Sequence, residues 1–173
     1  MLQFREATKN DINTIAILHA ESWRKYYRGI WSDEFLDKDV YENRLNTWDN
    51  RLKFPTGNQY VLLAENDNTL CGFACIYVDD DPRFGTLLDN LHVITNSQGS
   101  GIGTQLIKSV AKKVHDYKPG SGFYLWALEE NYKARKFYEN LGAKNHETVL
   151  EKNPDGRFTN SCRYAWASVS DLI

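Results

Sequence analysis

Residues 87–104 read Leu87-Leu88-Asp89-Asn90-Leu91-His92-Val93-Ile94-Thr95-Asn96-Ser97-Gln98-Gly99-Ser100-Gly101-Ile102-Gly103-Thr104, and their order decides the fold. Leu87 to Ile94 has the apolar content of a strand. From Ile102 the spacing changes: Ile102, Leu106, Val110, Val114 and Tyr117 share one face of a helix that stops at Lys118-Pro119-Gly120. Between the two, Gln98 to Gly103 lets the backbone turn tightly and aims several N–H groups at one point ahead of the helix, which is an anion cradle. It is not a Walker loop, because no Lys-Ser/Thr pair closes it. Nor is it the dinucleotide pattern, because Thr104 stands where the third glycine belongs. A glycine-rich turn without a ligand would use the same residues, so the loop alone fixes no function.

Outward from this stretch the strand-loop-helix unit repeats. Phe123 to Leu128 is a second buried strand, Asn131 opens a helix carrying Ala134, Phe137, Tyr138 and Leu141, and Gly142 closes it. The tail is a hairpin, His146 to Lys152 and Ser161 to Ala167, around Asn153-Pro154-Asp155-Gly156. Upstream, Tyr60 to Glu65 and Leu70 to Val78 form an antiparallel hairpin over Asn66-Asp67-Asn68-Thr69, with Asp79-Asp80-Asp81-Pro82 as its end. The chain opens with a short strand at Leu2–Arg5. Thr8 and Asp11 then cap a helix bearing Ile12, Ile15, Ala16 and His19. Glu21 to Leu52 is aromatic and charged, with helical pieces broken near Gly29 and Ser32-Asp33. Hairpins together with strand-helix-strand crossovers predict an α/β (α+β) fold with a mixed, mostly antiparallel central sheet of about seven strands and helices on both faces.

A chain of 173 residues and 20.0 kDa suits one domain, residues 1–173, and its 42% apolar content supplies a core. With 21 basic and 23 acidic residues the net charge is −2, so no general attraction to nucleic acid or anionic membrane is expected. Cys71, Cys75 and Cys162 have neither zinc-site spacing nor an even count, which suggests a reduced, cytoplasmic setting. No apolar run approaches the ~18–20 residues of a membrane span, and the first residues do not read as a signal peptide. No metal site is expected: His115 and His146 have no partners at ligand spacing, and His19 on the apolar stripe reads as a satisfied, half-buried histidine.

Two motifs in order, Leu91-His92-Val93 with Gln98-x-x-Gly101-x-Gly103, then Asn131, Ala134, Phe137-Tyr138 and Gly142, resemble the GNAT superfamily of acetyl-CoA-dependent N-acetyltransferases. The resemblance covers about Leu2 to Ala167, with specific motifs only between Leu87 and Gly142. It implies acetyl-CoA as cosubstrate, with backbone N–H groups of Gln98, Gly99, Ser100, Gly101, Ile102, Gly103 and Thr104 holding the pyrophosphate. It also implies that Leu91, His92 and Val93 run beside the pantetheine arm, with the Val93 N–H meeting the thioester carbonyl as negative charge develops there. Asn131 sits near the pantetheine in the family, and as a helix-start Asn it caps regardless of function. Tyr138 matches the tyrosine that protonates the departing thiolate in many relatives. A thiol near ~8.5 and a phenol near ~10 make that transfer mildly uphill. Tyr138 also shares a face with core residues and could be a packing tyrosine.

A free amine with pKa ~10.4 is ~99.9% protonated at pH 7, and neutralising it costs about 4.6 kcal/mol, so a base is wanted. Asp89 is favoured, two residues before Leu91. His92 is expected on the opposite face by strand alternation. The Glu that some relatives carry five residues before the motif Asn is Trp126 here. In the family the segment between the first two strands covers the acceptor, which makes Trp23, Tyr26 and Tyr27 candidates for an aromatic-walled pocket, although their helical spacing equally suits packing. The Asp79–Asp81 and Glu129-Glu130 runs would favour a cationic amine if they line its rim. Lys108, Lys112 and Lys113 read as a solvated helix face, with contact to the CoA 3′-phosphate as the alternative. The expected activity is acetyl transfer to a small-molecule or peptide amine, with polyamine-like, amino-sugar and peptide acceptors open. A homodimer fits the habit of the family. The competing reading is a CoA-binding regulatory or interaction module without transfer activity.

Overall fold

The computed structural model describes all 173 residues. Strand β1 (Leu2–Glu6) leads through the Thr8–Asp11 capping box into helix α1 (Ile12–Tyr26). Helix α2 (Val40–Lys53) follows a widened, π-helical turn at Phe35–Asp39. Strands β2 (Gln59–Asn66), β3 (Thr69–Asp81) and β4 (Gly85–Val93) form an antiparallel meander. Helix α3 (Ile102–Tyr117), strand β5 (Phe123–Leu128), helix α4 (Tyr132–Asn140) and the hairpin β6 (Lys144–Lys152) with β7 (Phe158–Trp166) complete the chain. The seven strands are ordered β1-β2-β3-β4-β5-β7-β6, and only the β4–β5 pair is parallel.

The two sides of the sheet read directly from alternation. Val61, Leu63, Phe73 and Cys75 meet α1 and α2, with Trp48 fully buried among them. Leu62, Ala74, Ile76, Leu88 and Leu125 meet α3, where Ile102, Leu106, Ile107, Val110 and Val114 are all buried. Burying each of these five side chains is worth about 1.5–3 kcal/mol before chain entropy is counted. That apolar stripe anchors α3 beneath the glycine loop. No helix is long and apolar enough to cross a membrane.

Strand β3 runs three residues beyond the expected stop at Val78. Asp79 takes a left-handed φ of +52°, a register irregularity absorbs it, and the turn comes only where Asp81 Oδ1 accepts the N–H groups of Arg83 and Phe84. A second irregularity matters more. Cys75 faces Asn90 while Ile76 faces Leu88, so Asp89 is an extra residue in β4. Such a bulge bends a strand and increases its twist. Strand β4 pairs with β5 only over Thr86–Leu88 against Phe123–Leu125, and beyond the bulge the two part.

Candidate active site

The parting of β4 and β5 opens a cavity of about 840 Å³. Strand β4 supplies Leu88 to Val93, β5 supplies Leu125 to Leu128, and α4 supplies Ala134, Phe137 and Tyr138. At one end lies the glycine loop. Gly101 immediately precedes α3 with φ +84°, a conformation costing an L-residue about 1–2 kcal/mol, and this lets the loop deliver its N–H groups at the helix start. Gln98, Gly99, Gly101, Gly103 and Thr104 line the cavity. Ser100 and Ile102 do not: the Ser100 hydroxyl donates to Ser97 O, and the Ile102 side chain packs into the core below.

Gln98 has a function that the motif did not reveal. Its Nε2 donates to Val93 O at 3.0 Å, while its Oε1 accepts from Tyr26 Oη at 2.6 Å and Lys133 Nζ at 2.9 Å. One side chain thus ties α1, the end of β4 and α4 around the mouth of the gap. Ile94 donates to Cys71 O across the β3–β4 ladder, so alternation turns the Val93 peptide edge away from β3 and toward the gap. Tyr26, expected at the acceptor, sits instead at the loop end. Lys133, inside the second motif, supplies the cation there, whereas Lys112 pairs with Asp116 and Lys113 lies over Tyr60.

Tyr138 lines the gap with its ring packed beside Phe137 and Trp166. Its hydroxyl has no partner within the protein, and burial, followed by the neighbouring Tyr27, pushes the phenol above its ordinary value. The group is therefore a neutral proton donor at pH 7. Asn131 caps α4 by accepting the Ala134 N–H at 3.2 Å, as its position implied.

On the other side of the gap the bulge overturns one expectation. His92 does not point away from Asp89: the extra residue restores both to the α1/α2 side, where they line the same cavity. Asp89 Oδ2 lies 2.7 Å from Arg51 Nη1, which also donates to Asn90 Oδ1 at 2.8 Å. Burial lowers the Arg51 guanidinium, but Asp89, with Cys75 and Tyr77, more than offsets this and keeps it above its usual range. Arg51 therefore competes for the oxygens that a substrate ammonium would use. His92 bonds Ser22 Oγ through Nδ1 at 2.7 Å, and burial, reinforced by Arg44, holds its pKa down to about 3. It is neutral at pH 7.

Behind it His19 is fully buried, not half-buried as its helix position suggested. Trp48 Nε1 donates to His19 Nδ1 at 3.0 Å, so the ring proton is on Nε2, which has no acceptor. Burial and the adjacent His92 press its pKa well below normal.

A second cavity of about 490 Å³ adjoins the first. Trp23 of α1 and Tyr27 at its C-cap, with Trp126 and Leu128 of β5, line both, and Trp31 and the β6–β7 turn close the smaller one. Asp155 Oδ2 accepts the Ser32 N–H at 2.7 Å, docking that hairpin turn onto the α1–α2 connection. The aromatic cluster thus serves as packing and wall together. The acidic runs line neither cavity. Asp80 accepts from Tyr124 Oη, Asp79 pairs with Lys118, and Glu129 accepts from Asn160. No group of three His, Cys, Asp or Glu residues is gathered as a metal-ligand set.

Comparison with known proteins agrees with this geometry. The chain is 29% identical over 141 residues to the probable N-acetyltransferase Rv2775 of Mycobacterium tuberculosis, covering 80% of this chain and 77% of that protein. It is 26% identical over 158 residues to the uncharacterized N-acetyltransferase YuaI of Bacillus subtilis, covering 88% and 84%. Its fold matches that of the PaiA N-acetyltransferase from Thermoplasma acidophilum, solved with coenzyme A, at a TM-score of 0.69 and 21% identity over 93% of this chain and 98% of that one. The sequence pattern of the acetyltransferase (GNAT) family matches residues 19–143. The chain belongs to the acetyltransferase (GNAT) family, and with it to the acetyl-CoA-dependent acyltransferases.

Proposed function

We propose that residues 1–173 work as one cytoplasmic N-acetyltransferase domain that moves the acetyl group of acetyl-CoA to a primary amine within a ternary complex. The observation that carries this reading is the gap between β4 and β5, with an N–H-rich loop at one end and an aromatic cavity joined to the other. The fit to acetyl-CoA rests on that opened strand edge, on the loop residues Gln98–Thr104 with Lys133 beside them, and on the tyrosine facing the gap.

The roles of the residues follow from their places. Amides of the Gln98–Thr104 loop, with Lys133, hold the pyrophosphate. The exposed edge of Leu91 to Val93 pairs with the pantetheine arm, and the Val93 N–H stabilises charge developing on the thioester oxygen. Asp89 receives the amine proton, directly or through water, while His92 holds Ser22 by its hydrogen bond in the same cavity. The amine nitrogen then bonds to the acetyl carbon as the carbon–sulfur bond breaks. Tyr138 gives its proton to the leaving sulfur. The products are an amide and CoA with a free thiol.

One observation favours the other reading, a CoA-binding module without transfer: Asp89 is already engaged by Arg51, and His92 is a weak base. Thiol release from acetyl-CoA against a panel of amines, with acetyl-CoA binding followed by calorimetry, separates the two. Amine-dependent release supports the transferase. Binding with no release from any amine supports the module, and absence of binding overturns both.

A further inference from the structure

Arg44 on α2 is buried, 8% exposed, yet enters no ion pair. Arg51, two turns along the same helix, is compensated by Asp89. The Nε and Nη2 of Arg44 both lean on one oxygen, Asn43 Oδ1, at 3.0 and 2.5 Å, and Nη1 donates to nothing in the protein. Its guanidinium lies over Trp23, with Cζ 3.9 Å from the ring centroid, and it lines the larger cavity on the side of Trp23, Tyr27 and His92. Burial, then the nearby Arg51, pushes its pKa down to about 10, and Asp89, which makes no ion pair with it, offsets this only in part.

A guanidinium with a free edge facing a cleft is a carboxylate receptor. The phosphates of CoA are served at the opposite end, by the glycine loop and Lys133. The missing anion therefore belongs to the acceptor. Asp89 and Arg51 line the same cavity as an ion pair, so two guanidiniums and one carboxylate stand in its walls, and the carboxylate of a zwitterion supplies the missing negative charge. A second ammonium, as in a polyamine, would meet Arg44 as a like charge in a desolvated site.

We propose that the acceptor is a free amino acid with a large aromatic side chain. Its carboxylate pairs with Arg44, its amino group faces Asp89, and its side chain enters the cavity where Trp23, Tyr27, Trp31 and Trp126 share the wall with Glu151, Lys152, Asn153 and Ser161. This rests on the acetyl-transfer reading above and names its substrate class.

The test uses matched probes: L-phenylalanine against phenylalaninamide and phenethylamine, which keep the ring and the amine but lack the carboxylate, with spermidine as the polycation. Calorimetric binding to the CoA-loaded protein and thiol release from acetyl-CoA are measured on the same preparation. The expected result is that phenylalanine is preferred by about tenfold or more in both, that Arg44→Met collapses this ratio, and that Arg44→Lys keeps part of it. Equal or better binding of phenylalaninamide or spermidine overturns the proposal, as does a ratio that Arg44→Met leaves intact. Release from carboxylate-free amines alone would leave acetyl transfer standing and remove Arg44 as the anchor. If no amine releases thiol, the transfer reading fails, while the binding comparison still decides on the carboxylate. Should Arg44→Met not fold, the wild-type contrast between phenylalanine and its amide decides.

Discussion

Replacing Tyr138 by Phe removes one oxygen from a ring that otherwise stays where it is. The ring packs beside Phe137 at 5.3 Å and Trp166 at 6.5 Å between centroids, and the hydroxyl bonds nothing in the protein. No buried partner is orphaned, so stability should change by less than about 1 kcal/mol. Turnover is different. Burial raises the phenol above its ordinary value, so it remains protonated, and able to donate, through pH 9. Without it the thiolate must leave unprotonated or wait for water, and loss of a positioned acid costs roughly 10²–10⁴-fold. The assay is thiol release at saturating acetyl-CoA from pH 6 to 9, with acetyl-CoA affinity measured by calorimetry and the thermal midpoint recorded for the variant. We expect kcat to fall by one order of magnitude or more at every pH, with acetyl-CoA still bound. The wild type should show no alkaline decline attributable to Tyr138 below pH 9. Turnover equal to wild type would remove Tyr138 from the chemistry and leave it a packing residue.

Other consequences can be measured in parallel. Asp89→Asn should cut the rate most at low pH, where the amine is hardest to deprotonate, and an unaltered pH–rate profile would eliminate Asp89 as the base. Gly101→Ala forces an L-residue to φ +84°, about 1–2 kcal/mol of strain at the head of α3, and should weaken acetyl-CoA binding by roughly tenfold; an unchanged Kd would argue against the loop as the pyrophosphate cradle. His92 is held at about 3 in the folded chain against ~6.5 unfolded, so below pH 6.5 the unfolded state binds the extra proton and stability falls with pH. At pH 5 that one group is worth up to about 2 kcal/mol, and the buried His19 acts in the same direction. Thermal melts should drop between pH 6.5 and 4, less steeply in His92→Gln, and parallel curves for the two proteins would contradict this.

The sequence was most readable where one local rule acts alone. The 3.6-residue stripe from Ile102 to Val114, the Asn131 cap, the β2–β3 hairpin and the buried strand β5 follow from side-chain period, capping chemistry and β-rich composition, and the structure repeats them. The bulge at Asp89 was invisible, because an extra residue leaves no mark on composition and simply reverses the alternation after it. That single residue moved His92 to the face of Asp89. Gln98 stood in a recognised motif, but its contacts with Tyr26, Lys133 and Val93 come from three separate elements, and no local pattern predicts such a meeting. Arg44 was missed for a related reason. Helix α2 buries Val40, Arg44 and Trp48 along one edge, so a charged residue occupies an apolar position. The fourfold spacing from Val40 through Arg44 to Trp48 was the available signal, and it reads as an anomaly only once the stripe is drawn.

The most direct test of the account is a crystal structure of the protein with CoA. The account predicts the pyrophosphate on the amides of Gly99 to Gly103, the pantetheine arm between β4 and β5, and the sulfur within about 3–3.5 Å of the Tyr138 hydroxyl. A pantetheine arm outside the gap, or a sulfur beyond reach of that hydroxyl, would contradict it.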